Sequence, residues 1–194
     1  MAAGRRQLAE LRRQAATGAI ELLFLDESEA RTHPYLARCW AKRGMDLRVE
    51  APGQAKRRAM LGAFDPIRSR LLLRTSATKR STDFVALLDD LGVACRERER
   101  RTPLVVVLDN GPIHTSKLTT KALAARPWLT VVWLPKYAPE LNDIERGWRD
   151  LKQHHLAHRT FADADDLDRT IHRAVDRLNR ERQTHPSPPF LKAA

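Results

Sequence analysis

The stretch from Val105 to Glu145 opens with Val-Val-Val-Leu-Asp-Asn (105–110) and closes with Tyr-Ala-Pro-Glu-Leu-Asn-Asp-Ile-Glu (137–145). A short run of β-branched residues bounded by turn residues is typical of a buried strand. Asp109 is therefore expected at the carboxyl end of a strand, where open α/β sheets tend to place their chemistry. The closing segment predicts a loop that leads into a helix and places Glu145 in the first helical turn.

An earlier stretch, Glu-Leu-Leu-Phe-Leu-Asp-Glu-Ser (21–28), has the same design and ends its apolar run on Asp26. We expect Asp26 at the tip of a strand as well. Two strand-tip aspartates and a helix-borne glutamate make a set of three carboxylates, and such oxygen ligands suit hard divalent cations. The sequence therefore predicts a metal site formed by Asp26, Asp109 and Glu145.

Each of these carboxylates also has a simpler interpretation. Asp26 and Asp109 are compatible with ordinary turn formers or helix caps. Glu145 follows Asn142 by three residues, which is a capping-box-like spacing. Only the joint pattern favours metal binding, because two strand ends and a helix start converge only in particular folds.

The composition favours a polyanionic partner. Lys and Arg number 35 against 24 Asp and Glu, which gives a formal net charge of +11 and a pI near 10.4. Nucleic acid is the first candidate and an anionic membrane surface the second, while a generally basic, well-solvated surface is the simplest alternative. No apolar run approaches the roughly 20 residues of a membrane span. Cys39 and Cys95 are too few for a disulfide framework or a zinc site, so we expect a cytoplasmic protein.

Periodicity predicts a mixed α/β sheet. Residues 5–16 predict a basic helix, either a linker or an arm lying on DNA. Strands are predicted over 21–26, 35–49 and 59–75, the last with a possible break at Asp65-Pro66. Helices at 81–95, 116–125, 145–158 and 164–182 then alternate with strands at 105–109 and 129–134. Three N-terminal strands followed by alternating helices and strands predict a five-stranded sheet flanked by helices. Four tryptophans have apolar neighbours and are predicted to lie in the core: Trp40, Trp128, Trp133 and Trp148.

Three motifs carry a family resemblance: Leu-Asp-Glu-Ser (25–28), Leu-Asp-Asn-Gly-Pro-Ile-His (108–114) and Leu-Pro-Lys-Tyr-Ala-Pro-Glu-Leu-Asn-Asp-Ile-Glu-Arg-Gly-Trp (134–148). They resemble the catalytic domain of DDE transposases, and in particular bacterial insertion-sequence enzymes related to the mariner group. The resemblance covers about residues 21 to 180. It implies a ribonuclease-H-like fold on which three acidic residues bind two divalent ions, Mg²⁺ or Mn²⁺. Matched by position, Asp26 is the first metal ligand, Asp109 the second and Glu145 the third.

The resemblance implies a transposase that cuts DNA at transposon ends and joins them to target DNA at one two-metal site. The alternatives are a truncated or inactive remnant that binds only DNA or a partner transposase, and a ribonuclease-H-like nuclease. The implied partners are double-stranded DNA and a second copy of the chain. A separate helix-turn-helix half is also expected, because family members usually carry such modules and residues 1–20 are too short for one. The implied location is the bacterial cytoplasm, at the nucleoid.

These motifs also set the expected domain organisation. Residues 1–20 would form a basic linker helix, and residues 21–160 the catalytic domain. Residues 161–194 would add the C-terminal helix and tail of the same domain.

Six residues are candidates for DNA contact: Lys152, Arg149, His114, Lys56, Arg57 and Arg58. Lys152 follows Glu145 by seven residues on the same helical face, an offset at which related DDE enzymes place a basic residue. Arg149 either contacts DNA or pairs with Glu145. His114 resembles a family histidine that orients DNA or water, although a packing role is equally compatible. Residues 56–58 form a basic loop.

One departure from the family pattern lies beside the predicted site. The family commonly has proline where this chain has Asp143. The substitution leaves the three acidic residues intact and adds a negative charge near Glu145.

Overall fold

The computed structural model describes residues 2–51, 53–97 and 102–184. The strands are β1 (Glu21–Arg31), β2 (Arg57–Asp65), β3 (Arg70–Ser76), β4 (Leu104–Leu108) and β5 (Leu129–Trp133). The helices are α1 (Ala2–Ala16), α2 (Ser81–Glu97), α3 (Pro112–Thr115), α4 (Lys117–Ala124), α5 (Ile144–Asp150) and α6 (Ala164–Thr184). A π-helical segment, Leu151–Leu156, continues α5.

β1 lies at the centre of the sheet, whose strand order is β3-β2-β1-β4-β5. β1 pairs in parallel with β4 and antiparallel with β2. β3 continues the sheet antiparallel to β2, and β5 continues it parallel to β4. The mixed five-stranded sheet expected from the sequence is confirmed.

Helices cover both faces of the sheet. Because successive residues of a strand point to opposite sides, each strand contributes side chains to both cores. Phe24 belongs to the core cluster that α1, α5 and α6 complete. Leu25, the next residue, belongs to the cluster on the α2 side. Both side chains are fully buried. Two-sided burial explains why β1 and β4 appear in the sequence as almost continuous apolar runs.

The strand predicted over residues 35–49 is wrong. This segment lies in the long connection between β1 and β2, and the side chains of Trp40, Met45 and Leu47 are exposed. In the described chain this segment joins none of the five strands, and its β-bridge is an isolated one between Tyr35 and Ala157. Its apolar residues therefore do not gain the burial that a place in the sheet would give.

The second and third N-terminal strands both come from the region predicted as one strand over residues 59–75. A turn divides this region into β2 and β3. The carboxylate of Asp65 accepts the backbone N–H groups of Ile67 and Arg68, each at 2.9 Å. Pro66 cannot donate to a strand ladder. The break that the sequence suggested at Asp65-Pro66 is confirmed, and it makes the edge hairpin of the sheet.

The tryptophans divide between core and surface. Trp148 is 2% exposed, as predicted. Trp128 and Trp133 are 39% and 42% exposed, and Trp40 is fully exposed, so the core prediction is wrong for these three. Trp133 ends the edge strand β5, where only one side of the sheet offers neighbours.

The terminal helices pack onto the same core. Leu8 and Ala15 of α1 are buried in the cluster that contains Phe24. α6 contributes Leu167 and Ile171 to that cluster. Residues 185–194 of the predicted C-terminal helix and tail lie outside the described residues. Within the described ranges, no helix combines the length and the apolar character needed to cross a membrane.

Replacing Gly62 by alanine should destabilise the fold. A Cβ at position 62 would lie 2.5 Å from Cη2 of Trp148 and 3.2 Å from Cδ1 of Ile144, both of which are buried. We expect a loss of about 1–3 kcal/mol in the free energy of unfolding, measured with urea. Gly92→Ala is the control, because its Cβ would meet only the half-exposed Trp128, at 3.3 Å. Equal losses in the two variants would contradict this packing.

Candidate active site

Asp26 lies beside Asp109 because β1 and β4 are parallel neighbours. Their register pairs Phe24 with Val107. Continued by two residues, this register sets Asp26 level with Asp109, at the roughly 5 Å spacing of adjacent strands. β4 ends one residue before Asp109. Asp109 is thus at the carboxyl end of its strand, as predicted.

The prediction that Asp26 ends its own strand is wrong, because β1 continues to Arg31. Beyond Phe24 the strand no longer pairs with β4 but stays paired with β2, where Gly62 is the partner of Asp26. Asp26 is therefore held on one side by β2. Its other side opens past the end of β4, towards Asp109.

α5 brings Glu145 to the same end of the sheet. Ile144 and Trp148 are buried and pack onto Gly62, the strand partner of Asp26. Glu145 follows Ile144 and remains exposed. The two apolar side chains fix the helix, and Glu145 is carried on its solvent side.

The capping-box interpretation of Glu145 is wrong. Asn142 is 5% exposed, and its side-chain oxygen accepts no hydrogen bond from the described residues. No side chain caps the start of α5. Glu145 is therefore not engaged in the reciprocal hydrogen bonds that the spacing suggested.

The charges of Asp109 and Glu145 both act on the carboxyl group of Asp26. Burial raises the pKa of Asp26 to about 7, against the hydrogen bond from the backbone N–H of Glu27. The negative charges of Glu27, Asp109 and Glu145 raise it further. Asp26 is thus within electrostatic range of both Asp109 and Glu145.

The donor chemistry of this set fits a divalent cation. All three groups offer carboxylate oxygens, and a cation would offset the repulsion that raises the pKa of Asp26. As the side chains stand, no three acidic, histidine or cysteine groups in the described ranges close around a point that could hold a metal ion.

Asp109 is the most fixed of the three carboxylates. Its Oδ1 accepts from the backbone N–H of Gly111 at 2.9 Å and contacts Nδ1 of His114 at 2.6 Å. These contacts, led by the bond to His114, lower the pKa of Asp109 despite its partial burial. A Cβ at Gly111 would lie 3.0 Å from that oxygen, so a side chain at this position would press on the carboxylate that His114 holds.

His114 lies in the interior, between two carboxylates. The residue is 0% exposed, and its ring packs on Phe84 with 4.6 Å between centroids. Nε2 lies 3.3 Å from Oε2 of Glu27, although the angles are outside those of a hydrogen bond. Although burial alone would lower it, the pKa of His114 is raised, because Asp109 and Glu27 stabilise the charged ring.

Sequence reasoning gave no role to Glu27. Its signal was a charged residue within an apolar strand, one position after Asp26. Alternation along β1 turns its side chain to the face opposite that of Asp26, towards His114. The sequence showed that position 27 is charged, but it did not show that His114 would be its partner.

Lys152 lies beside the carboxylate set. Its Nζ donates to Oγ of Ser28, two residues beyond Asp26 on β1, at 2.8 Å. Burial lowers the pKa of Lys152, while the charge of Glu145 acts in the opposite direction. Arg149 is exposed, and no ion pair joins it to Glu145 in the part of the chain that the structure describes.

The negative charge of Asp143 is balanced by α1. Arg12 donates to both carboxylate oxygens of Asp143, from Nε at 3.0 Å and from Nη2 at 2.9 Å. The guanidinium also lies over the ring of Phe24, 5.4 Å from its centroid. Arg5 pairs with Glu140 in the same loop at 3.7 Å. α1 is thus tied to the segment that leads into Glu145.

The prediction that residues 56–58 form a basic loop is wrong for Arg57 and Arg58, which begin β2 because they pair with Arg31 and Ala30 of β1. Arg58 is bound to α6, through Asp165 at 2.6 Å and Asp168 at 3.6 Å. Lys56 and Arg57 are exposed. Arg57 lines a cleft of about 350 Å³ whose other walls include three residues before α2 and one on β1: Thr78, Lys79, Arg80 and Glu29.

The family described as DDE superfamily endonuclease matches residues 21–168. A Shigella sonnei protein, the insertion element IS630 uncharacterized 39 kDa protein, is 29% identical over 130 residues, which are 67% of this chain and 37% of that protein. This chain therefore spans little more than a third of the length of that relative.

Two solved structures share the fold. The Mos1 transposase paired-end complex with the left transposon end matches with a TM-score of 0.64 at 16% identity, over 93% of this chain and 58% of that chain. The Mos1 mariner paired end complex with Mn matches with a TM-score of 0.63 at 16% identity, over 91% and 57%. The ribonuclease-H-like fold implied by the motifs is confirmed.

The pair formed by Arg12 and Asp143 should contribute measurably to stability. Its side chains are 28% and 24% exposed, and the contact is bidentate. A double-mutant cycle with alanine at both positions should give a coupling energy of about 1 kcal/mol in urea unfolding. The same cycle on the exposed pair Arg48 and Asp46, 91% and 59% exposed, should give a smaller value. Equal coupling in the two cycles would contradict a special role for the α1 contact.

Proposed function

Because this chain belongs to the DDE superfamily of endonucleases, we propose that it is a transposase catalytic domain that cleaves DNA and joins transposon ends to target DNA. One observation carries the proposal. The parallel register sets Asp26 level with Asp109, and the charge of Glu145 reaches the same carboxyl group. These are the residues of the three sequence motifs.

Asp26, Asp109 and Glu145 would hold two divalent ions, Mg²⁺ or Mn²⁺. When bound, such a pair activates the attacking oxygen and stabilises the leaving oxygen of an in-line displacement at phosphorus. The carboxylate chemistry of the set supports this assignment, as does the Mn named for the Mos1 complex. Asp109 enters the site with Oδ1 already held by two donors.

The reaction would run in two displacements. In the first, water attacks a backbone phosphorus at a transposon end, and the bond to the 3′ oxygen breaks, which frees a 3′-hydroxyl. In the second, that hydroxyl attacks a phosphorus of target DNA and displaces the 3′ oxygen of the target strand. Lys152, anchored on Ser28 beside Asp26, would place a positive charge next to the reacting phosphate.

The DNA backbone would follow the cationic side chains beyond Lys152. The cleft lined by Arg57, Lys79 and Arg80 also contains Glu29, which lies three residues past Asp26 on β1. At the rise of a strand this is roughly 10 Å from Asp26, on the opposite face of the sheet. The charges of Glu29 and Lys79 nevertheless both act on Lys152, so the cleft is within electrostatic range of the proposed site. The Glu29 carboxylate is already paired with Arg31 at 3.0 Å. The cleft thus offers the next positively charged site along the path of a bound strand.

The proposed partners are double-stranded DNA, a second copy of the chain and a separate helix-turn-helix half. The transposon end named in the Mos1 complex supports the first. The net charge of +11 supports it independently, because neutralising backbone phosphates requires such an excess. The experiments below separate an enzyme from a protein that only binds DNA.

Glu145→Gln should abolish nicking of DNA that depends on Mg²⁺ or Mn²⁺. The substitution keeps the size of the side chain but removes the charge that a hard dication requires. The rate should fall by more than the roughly 10–100-fold that is typical when a partner of a metal ligand is lost. Glu140→Gln, in the preceding loop, is the control and should nick like wild type. Nicking by Glu145→Gln at the wild-type rate would remove Glu145 from the site.

Lys79→Gln with Arg80→Gln should weaken DNA binding without regard to sequence. The slope of log K against log salt is negative, and each lost phosphate contact makes it shallower by about 1. The slope of the double variant should therefore be shallower by about 2. Fluorescence anisotropy with a duplex between 50 and 300 mM KCl measures this. Lys121→Gln, which removes an exposed cation of α4, should leave the slope unchanged. An unchanged slope in the double variant would exclude the cleft from the DNA path.

A further inference from the structure

Glu27 and His114 form a buried contact beneath the carboxylate set. Glu27 lies on β1, on the sheet face opposite Asp26, and His114 lies in α3, which begins after Asp109. The histidine is 0% exposed and packs against Phe84 of α2. The ring is therefore fixed from one side by the core.

The two ring nitrogens face two different carboxylates. Nδ1 lies 2.6 Å from Oδ1 of Asp109. The same oxygen also accepts the backbone N–H of Gly111 at 2.9 Å, so Oδ1 is the acceptor in this contact and Nδ1 the donor. Nε2 lies 3.3 Å from Oε2 of Glu27. These last two atoms are buried, and neither makes a hydrogen bond with the described residues, so the 3.3 Å ion-pair contact is the interaction that joins them.

The contact decides which oxygen of Asp109 is free. Oδ1 is occupied by the N–H groups of Gly111 and His114. Oδ2 receives no hydrogen bond from the residues that the structure describes. A carboxylate held in this way presents one oxygen to a ligand and cannot rotate without losing both donors.

We propose that Glu27 is a positioning residue, which orients His114 so that His114 fixes the Asp109 carboxylate with Oδ2 turned to the site. This inference rests on the proposed function, in which Asp109 binds a divalent ion. It goes beyond that function, because it gives the acidic residue next to Asp26 a task separate from metal binding. A contact that served only the stability of the core would not affect the affinity for metal.

The test compares Glu27→Ala with Glu27→Gln. Alanine removes the contact, whereas glutamine keeps a polar side chain of the same length that can donate to Nε2. Mn²⁺ affinity is measured by calorimetry, and the melting temperature and metal-free DNA affinity are measured beside it. We expect Glu27→Ala to bind Mn²⁺ about 10–100-fold more weakly, the range found when the partner of a metal ligand is lost. Glu27→Gln should stay close to wild type, and metal-free DNA affinity should be unchanged in both.

A second readout needs no metal. Long-range ¹H–¹⁵N correlation spectra of the imidazole rings should show a protected Nδ1 proton on His114 in wild type and in Glu27→Gln, and its loss in Glu27→Ala. Glu181→Gln is the matched control, because it alters another contact between a glutamate and a histidine, that with His155 at 3.7 Å. It should change neither the His114 signal nor the Mn²⁺ affinity. If Glu27→Ala does not fold, Glu27→Met replaces it, since methionine keeps the length without the oxygens.

Three outcomes would overturn the proposal. One is wild-type Mn²⁺ affinity in Glu27→Ala. Another is an unchanged His114 signal in that variant. The third is an equal loss of Mn²⁺ affinity in the alanine and glutamine variants, which would show that the charge of Glu27 acts directly. A wild-type protein that binds no Mn²⁺ would instead contradict the proposed function, and the spectra of the metal-free protein would still decide the role of Glu27.

Discussion

The parallel pairing of β1 with β4 is the constraint on which the site depends. The paired register ends at Phe24 and Val107, and two residues further on lie Asp26 on β1 and Asp109 just past the end of β4. β1 then continues along β2 alone, so the Asp26 side chain has an open flank. An acidic residue with a paired strand on each side would be enclosed by the sheet. One in a loop without strand pairing would have no fixed position. The early end of β4 creates a position that is both fixed and accessible.

The remaining elements hold this junction in place from different sides. Gly62 allows α5 to lie close on the sheet, because the ring of Trp148 occupies the space of a side chain there. On the opposite face, His114 supports Asp109 from the core. Arg12 connects α1 with the loop before Glu145, and it balances the charge that Asp143 adds. The His114 contact uses only Oδ1 of Asp109, and Arg12 acts on Asp143 rather than on Asp26, Asp109 or Glu145.

The sequence predicted the elements whose signals are local. β4 was predicted because Val105, Val106 and Val107 form an uninterrupted β-branched run, and the position of Asp109 followed from it. The helix after Asn142 was predicted from the helical spacing of Ile144, Trp148 and Leu151. All three side chains are buried in the structure. The length of β1 could not be predicted, because residues beyond Asp26 are polar and are kept in the strand only by pairing with β2. The strand wrongly predicted around Trp40 has the same explanation. Its apolar residues suggested a strand, but the sequence did not show that the segment pairs with none of the five described strands.

The long-range contacts of the site were beyond sequence reasoning. Arg12 and Asp143 are 131 residues apart, and nothing near either residue indicates the other. Glu27 and His114 are 87 positions apart and come within 3.3 Å because α3 follows β4, the strand that pairs with β1. The motifs therefore predicted which residues would carry the chemistry, whereas the structure was needed to show what holds them.

The central claim is that Asp26, Asp109 and Glu145 share a pair of divalent ions. Anomalous diffraction from a crystal soaked in Mn²⁺ tests it most directly, because manganese peaks locate the ions without any assumption about the reaction. The account predicts two peaks about 3.5–4 Å apart, both within bonding distance of these carboxylates. Saturating Mn²⁺ with no peak at the end of β4, or with peaks that leave Glu145 without contact, would contradict it.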